Sequence, residues 1–232
     1  MNSTNGVENI DFPLYHGTST LFLESIVKHG LGGCNPIEEW KVLECAREIY
    51  PLVQEHLASD QNYESKMFSF ELMTQQSQNA MNFQHGDTYL SPAKGTAIRY
   101  AIDKKYGSEL LSYTLDFLDG LVTRRVAGVC DKLYRKYPQI FTTLQISAAP
   151  MLFVIDGVKI SDLLTEKGFD PLDSVASILD ARRDYPNDSE VFIQQTNFRL
   201  KKPVAINNVS AWLINVSKWH IGSPEYSLRQ VV

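Results

Sequence analysis

The segment that most constrains the fold is residues 14–20, Leu-Tyr-His-Gly-Thr-Ser-Thr. It is typical of a short strand that ends in a tight turn, with His16 at the turn and Gly17 directly after it. Because glycine lacks a Cβ atom, the backbone at Gly17 can approach a ligand closely and hydrogen-bond a flat carboxamide. Residues 21–31 repeat apolar side chains at helical spacing and end near Gly30, which predicts a short helix stopped by that glycine.

Length and composition indicate an ordinary globular protein. The 232 residues suffice for one large domain or two small ones, and no apolar run is long enough to span a bilayer. Residues 1–11 lack the basic and apolar regions of a secretory signal. Cys34, Cys45 and Cys130 have no spacing typical of a disulfide framework or a zinc site. We therefore expect a cytoplasmic protein with no metal and no membrane partner.

Periodicity along the chain predicts helices interspersed with short strands. Helices are predicted over residues 37–57, from residue 94 through 101, and over 121–137, 161–166 and 170–182. Strands are predicted over residues 66–72, 88–91, 150–155, 190–193, 203–206 and 209–214, whereas residues 110–118 fit either structure. Pro51 is expected to kink or divide the first long helix. With no repeat and no clear linker, the economical prediction is one α+β domain over residues 1–232.

A second segment of interest is Gly86-Asp87-Thr88-Tyr89-Leu90-Ser91-Pro92, a turn and a short strand that lead into a predicted helix. Tyr100 lies on that helix, eleven residues after Tyr89. Rigid aromatic faces such as these can stack on a cationic pyridinium ring, and the interaction strengthens in a dry site.

A third segment is Asp188-Ser189-Glu190-Val191-Phe192-Ile193, in which Glu190 opens a predicted apolar strand. A carboxylate at the mouth of a cleft can hydrogen-bond a ribose hydroxyl. It can also stabilise the positive charge that develops as a glycosidic bond breaks, an effect worth roughly a few kcal/mol.

Taken in this order, the three segments resemble the motifs of the ADP-ribosyltransferase superfamily. The match is to the His-Tyr-Glu branch, which includes poly(ADP-ribose) polymerases and diphtheria toxin. The resemblance implies an ADP-ribosyltransferase-like split β-sandwich, in which two small sheets surround an NAD cleft and carry helical insertions. It divides the chain into a first motif (residues 12–33), a helical insertion (34–83), a second motif (84–101) and a third motif (187–206).

The resemblance also implies roles for individual residues, with NAD as substrate and no metal. The catalytic set is His16, Tyr89 and Glu190. The residues implied to bind NAD are His16, Gly17, Thr18, Tyr89 and Tyr100. Within these sets, His16 is expected to bond a ribose hydroxyl, Gly17 to hold the carboxamide by its backbone, and the two tyrosines to clamp the ring.

One position departs from the family pattern. Three residues before the second tyrosine the family has a hydroxyl side chain that bonds the carboxamide, whereas this chain has Ala97. Either that contact is missing here, or Thr96 supplies it from a shifted position.

The expected activity is mono-ADP-ribosyl transfer from NAD to a macromolecular acceptor, as in small bacterial or phage-related toxins and effectors. That analogy adds an antitoxin or inhibitor to the expected partners. The acceptor stays open between RNA, DNA and protein. Asp188, two residues before Glu190, either orients a guanidinium or caps a turn, and the turn is favoured.

A basic cluster on the predicted helix 121–137 bears on the choice of acceptor. It either contacts nucleic acid or forms a solvated helix face, and the solvated face is favoured. The net charge of −5 argues against phosphate binding by the protein as a whole and leaves a local basic patch open. Its members are Arg124, Arg125, Lys132, Arg135 and Lys136.

Three other functions remain. RNA 2′-phosphotransferases share the fold, but they depend on arginines around the histidine and residues 14–20 contain none. An inactive module of the same fold could bind ADP-ribose or a protein partner. An unrelated α+β interaction domain could carry the three segments by coincidence.

Overall fold

The computed structural model describes residues 9–75, 86–218, 220 and 224–231. These residues form a mixed α+β protein with two small antiparallel sheets. The strands are β1 (Leu14–Ser19), β2 (Tyr89–Leu90), β3 (Pro150–Ile155), β4 (Leu163–Thr165), β5 (Phe198–Leu200), β6 (Val209–Lys218) and β7 (Glu225–Gln230). The helices are α1 (Leu23–His29), α2 (Pro36–Glu39), α3 (Val42–His56), α4 (Gln61–Gln75), α5 (Lys94–Asp103), α6 (Glu109–Thr123), α7 (Tyr134–Lys136), α8 (Pro138–Leu144), α9 (Leu172–Asp184) and α10 (Ser189–Ile193).

The chain divides into two compact units, each built from separate stretches of sequence. The first unit comprises residues 1–34, 87–107 and 149–232, and it contains both sheets. The second unit comprises residues 35–86 and 108–148, and the regular elements among its described residues are helices. Among the described residues, no helix combines the length and the apolar character needed to cross a membrane.

The first unit is organised around β1. One sheet has the strand order β1-β3-β6-β7 and the other has the order β2-β5-β4. In the larger sheet, β1 runs antiparallel to β3, with Leu14 opposite Ile155. A single bridge between Tyr15 and Ser91 joins β1 to the residue that follows β2, so the two sheets meet at β1.

Helix α5 covers one face of the larger sheet. The apolar core between them comprises Ala97, Ile98, Ala101, Leu152 and Ile214. Side chains alternate between the two faces of a strand, and Tyr15 packs against this core. His16 therefore points to the face of β1 opposite α5.

The second unit buries the apolar faces of its helices against one another. Helix α3 contributes Cys45, Ile49 and Val53, none of which is exposed. Phe70 of α4 and Phe117 of α6 are also fully buried, with ring centroids 4.6 Å apart. Contacts of this size and geometry stabilise an aromatic core beyond the burial of area alone.

Several sequence predictions are confirmed. Strands occur where predicted at β2, β3 and β6, and helices occur at α5 and α9. Helix α1 ends at Gly30, whose φ of 79° is in the region that favours glycine. The ambiguous residues 110–118 belong to helix α6.

Other predictions are wrong. His16 and Gly17 lie inside β1 and not at a turn. Residues 66–72 form part of helix α4, residues 190–193 belong to helix α10, and residues 198–200, outside the predicted strands, form strand β5. Of residues 203–206, Val204 makes only an isolated bridge with Leu31.

The predicted helical boundaries also shift. The first long helix divides at Lys41, whose φ is 57°, and Pro51 lies inside α3. The predicted helix 121–137 is broken, because α6 ends at Thr123 and a π-helical turn occupies Val129–Leu133. Residues 160–162 form a 3₁₀ turn that leads directly into β4. Residues 76–83 of the predicted insertion and residues 84–85 of the second motif lie outside the described residues.

Candidate functional site

His16 is tied to the second motif by a hydrogen bond. Its Nδ1 atom lies 2.8 Å from the carbonyl oxygen of Tyr89. A carbonyl can only accept, so Nδ1 carries the proton and the neutral ring presents Nε2 as an acceptor. Burial lowers the pKa of His16 below its usual 6.5, against the opposing effect of this hydrogen bond. The ring is therefore held neutral, with one acceptor nitrogen directed away from Tyr89.

Gly17 lies where β1 approaches α5 most closely. A Cβ atom at this position would overlap the carbonyl oxygen of Ala97. Close packing against α5 therefore requires glycine at position 17, whether or not a ligand binds there.

The backbone of Gly17 faces a particular edge of β1. Tyr15 exchanges two backbone hydrogen bonds of 2.8 Å with Ser91, and backbone groups of alternate residues point to the same edge. The amide and carbonyl of Gly17 therefore point to the same side of β1 as those of Tyr15, the side on which Ser91 lies, and away from β3. This edge is where a flat hydrogen-bonding group could pair with the strand.

The other residues predicted to bind NAD differ in exposure. Thr18 is buried, with 1% of its surface exposed, and lies beside Gly107. Tyr89 is half-buried on β2, opposite Arg199 of β5. Tyr100 keeps 40% of its surface exposed on α5.

Glu190 lies at the first turn of α5. Its two carboxylate oxygens accept hydrogen bonds from the backbone amides of Lys94 (3.1 Å) and Gly95 (3.3 Å). The side chain is exposed, and a carboxylate is favoured at a helix N-terminus by the unpaired amides and the helix dipole. The segment between Tyr89 and Tyr100 thus contacts His16 at one end and Glu190 in its first helical turn.

A second contact fixes α10 against α5. The Thr96 hydroxyl donates a hydrogen bond of 3.2 Å to the carbonyl of Gln194. This bond uses the hydroxyl that was considered as a substitute for the one missing at Ala97.

Asp188 precedes α10, and its side chain makes no capping hydrogen bond there. The favoured interpretation, a turn cap, is therefore not what this carboxylate does in the structure.

Sequence reasoning missed two residues of this region, Tyr15 and Arg182. Burial raises the pKa of Tyr15; Arg182 lowers it, and Glu190 and Asp156 raise it. Arg182 donates a 3.0 Å hydrogen bond to the carbonyl of Pro92 and stacks over the ring of Phe12, 4.6 Å from its centroid. Alternation along β1 could have placed Tyr15 opposite His16, whereas no local pattern brings a residue of α9 to the turn after β2.

The predicted basic cluster lies in the second unit and is partly neutralised there. Arg124 pairs with Asp60 and with the carbonyl of His56. Lys136 pairs with Glu48 at 2.5 Å. These pairs favour the interpretation of the cluster as an ordinary charged surface.

A shallow cavity of about 320 Å³ lies at the end of β3. It is lined by Asp156, Gly157, Asn207, Asn208, Val209 and Ser210.

Comparisons with known proteins return no relative of this chain: no family model, no curated protein and no solved structure matches it.

Proposed function

We propose that the chain is a mono-ADP-ribosyltransferase of the His-Tyr-Glu type, with a split β-sandwich that uses NAD as its substrate. The observation that carries the proposal is that one segment connects the three motifs. His16 donates to the backbone of Tyr89, and Glu190 binds the first turn of the helix that follows Tyr89 and carries Tyr100. Residues far apart in sequence thus adjoin one stretch of chain, and this supports the proposal.

The residues present suit the parts of NAD. The backbone edge at Gly17 offers an amide and a carbonyl in line, which is the pattern that a carboxamide needs. The Nε2 atom of His16 is an acceptor for a ribose hydroxyl. Tyr89 and Tyr100 offer partly exposed aromatic faces for a cationic ring.

Glu190 has the central chemical role in this proposal. In the reaction, the bond between the nicotinamide nitrogen and ribose C1′ breaks and the electron pair leaves with nicotinamide. A nucleophile on the acceptor bonds to C1′ and loses its proton. The Glu190 carboxylate stabilises the positive charge that builds up on the ribose between these events. An exposed position suits this role, because the acceptor approaches from solvent.

The experiment is incubation with labelled NAD and separate pools of protein, DNA and RNA. Label on one pool identifies the acceptor class, and nicotinamide release without label indicates a glycohydrolase. Binding of NAD or ADP-ribose without turnover would favour an inactive module of the same fold, and no binding would contradict both.

We expect Glu190→Gln to lower the transfer rate by a factor of about 10² or more while NAD still binds. The amide keeps the size of the side chain and removes its charge. Glu24→Gln is the matched control, because Glu24 is also an exposed carboxylate in a first helical turn, that of α1. Equal turnover in Glu190→Gln and the wild-type chain would remove Glu190 from the mechanism.

A further inference from the structure

An exposed aromatic pair adjoins the candidate catalytic glutamate. Tyr185 follows α9 and Phe192 lies on α10, two residues after Glu190. Their ring centroids are 4.6 Å apart with an angle of 34° between the planes. Tyr185 keeps 53% of its surface exposed and Phe192 keeps 57%.

Neither ring of the aromatic pair is buried in the core of its unit, although aromatic side chains of this size often are. Val191, between Glu190 and Phe192, is 63% exposed, and on α10 only Ile193 is buried, at 3%. Large apolar side chains grouped on a surface mark a contact site more often than chance, whereas isolated ones do not. Together, Tyr185, Val191 and Phe192 form what we call the α10 patch.

The charge around the α10 patch is negative. Residues 180–192 contain four carboxylates and two guanidiniums. Arg183 bonds both Asp180 (2.7 Å) and Asp184 (3.0 Å), so one cation serves two acids. The guanidinium of Arg182 is directed at Phe12 and Pro92. Asp188 and Glu190 add two more carboxylates, and the whole chain has a net charge of −5.

We propose that the α10 patch binds a basic segment of a protein acceptor, whose lysine or arginine side chains lie over the rings of Tyr185 and Phe192. This inference rests on the proposed transferase function and specifies its acceptor. Cations are attracted to aromatic faces and to the surrounding carboxylates, whereas the phosphates of a nucleic acid are repelled by both. Because Glu190 is on the same helix, a segment bound at the patch has its nucleophilic side chains close to the catalytic carboxylate.

The test measures binding without NAD, by the fluorescence anisotropy of a dye-labelled peptide of alternating lysine and leucine. Controls are a glutamate–leucine peptide of the same length and a single-stranded oligonucleotide. We expect the basic peptide to bind most tightly and to weaken as salt is added. Equal or tighter binding of the oligonucleotide, or of the acidic peptide, would overturn the proposal.

Variants locate the binding site. Tyr185→Ser and Phe192→Ser should each weaken binding of the basic peptide by about five-fold, because a cation loses one aromatic face. Tyr185→Phe keeps the ring and should bind within about two-fold of the wild-type chain. Phe68→Ser is the matched control, since Phe68 is 65% exposed on α4 in the second unit.

Asp188→Lys tests the electrostatic part, with an expected loss of about three-fold or more in affinity for the basic peptide. Unchanged affinity in this variant and in both serine variants would contradict the proposal, provided that their thermal melts match that of the wild-type chain. NAD cleavage by the wild-type chain is assayed separately. Cleavage without peptide binding overturns only this inference, and peptide binding without cleavage overturns only the transferase function.

Discussion

At the scale of single residues, one hydrogen bond determines what His16 can offer. The N–H group at Nδ1 donates its hydrogen bond to the Tyr89 carbonyl, so only Nε2 remains for another partner. While the ring is neutral, Nε2 can accept a hydrogen bond but cannot donate one. Burial favours this neutral form and lowers the pKa of His16. Protonation would turn Nε2 into a donor and place a charge in a poorly solvated position.

This lowered pKa predicts a specific loss of stability in acid. In the unfolded chain His16 binds a proton below its usual pKa of 6.5, whereas in the folded chain it does so only at lower pH. Unfolding therefore takes up a proton between the two values. The stability contributed by neutral His16 is complete above the unfolded pKa and declines as the pH falls below it, with a slope of at most about 1.4 kcal/mol per pH unit.

The check is a series of denaturant titrations from about pH 7.5 to about pH 5.5, the range around the ordinary histidine pKa. His16→Asn keeps a donor for the Tyr89 carbonyl but cannot be protonated, so its free energy of unfolding should fall less over this range. His29→Asn, at the exposed end of α1, controls for the loss of an imidazole. If the wild-type chain and His16→Asn show the same slope, His16 is not the group that titrates.

At the scale of elements, two glycines, Gly17 beside α5 and Gly95 within it, differ in what surrounds them. A Cβ at Gly17 meets backbone atoms of Ala97 and Ala101, which cannot move without shifting the helix. A Cβ at Gly95 meets only Oε2 of Glu190, 3.1 Å away at the end of a flexible side chain. The same substitution should therefore have different consequences at the two positions.

We expect Gly17→Ala to lower the free energy of unfolding by about 1–3 kcal/mol, the usual effect of overpacking a close contact. Gly95→Ala should change it by no more than about 0.5 kcal/mol. Chemical denaturation of both variants, with hydrogen exchange in α5 as a local readout, provides the measurement. A Gly17→Ala variant as stable as Gly95→Ala would mean that β1 and α5 are not packed this closely.

The elements also show how far sequence patterns could predict this fold. Predictions that rested on strong local signals were correct: Gly30 ends α1, and the apolar run at 150–155 forms β3. The prediction of a strand at residues 66–72 was wrong, because apolar side chains alternate along this segment but are not buried in the same alternation. Phe70 is buried, whereas Phe68, expected on the same side, is 65% exposed.

The strand predicted in the third motif was wrong for a related reason. A short apolar run such as Val191 to Ile193, three residues long, fits a buried strand or a helix equally well, since periodicity alone cannot separate them. Residues 190–193 form helix α10, in which Val191 and Phe192 face solvent. The sequence could identify Glu190 as a candidate, but its contact with the first turn of α5 depends on tertiary packing.

At the scale of the whole molecule, the sequence indicated a helical insertion at residues 34–83. It did not indicate that a second, later stretch of the chain packs with this insertion. Residues 108–148 join it in the second unit, which no local pattern could reveal. The aromatic residues of α4 and α6 make this association. Phe117 lies 4.6 Å from Phe70 and 5.6 Å from Tyr63, measured between ring centroids.

Phe117 is therefore expected to be the most sensitive position of this aromatic group. It is fully buried, so Phe117→Ala removes a large side chain and leaves a cavity, at a cost of about 3–5 kcal/mol. Phe68→Ala makes the same chemical change at a 65% exposed position and should cost no more than about 0.5 kcal/mol. Hydrogen exchange of the amides in α3, α4 and α6 is the measurement, because it reports the stability of the second unit directly. Faster exchange in these helices should appear in Phe117→Ala and not in Phe68→Ala. Similar exchange in the two variants would show that the aromatic contacts between α4 and α6 do not hold the second unit together.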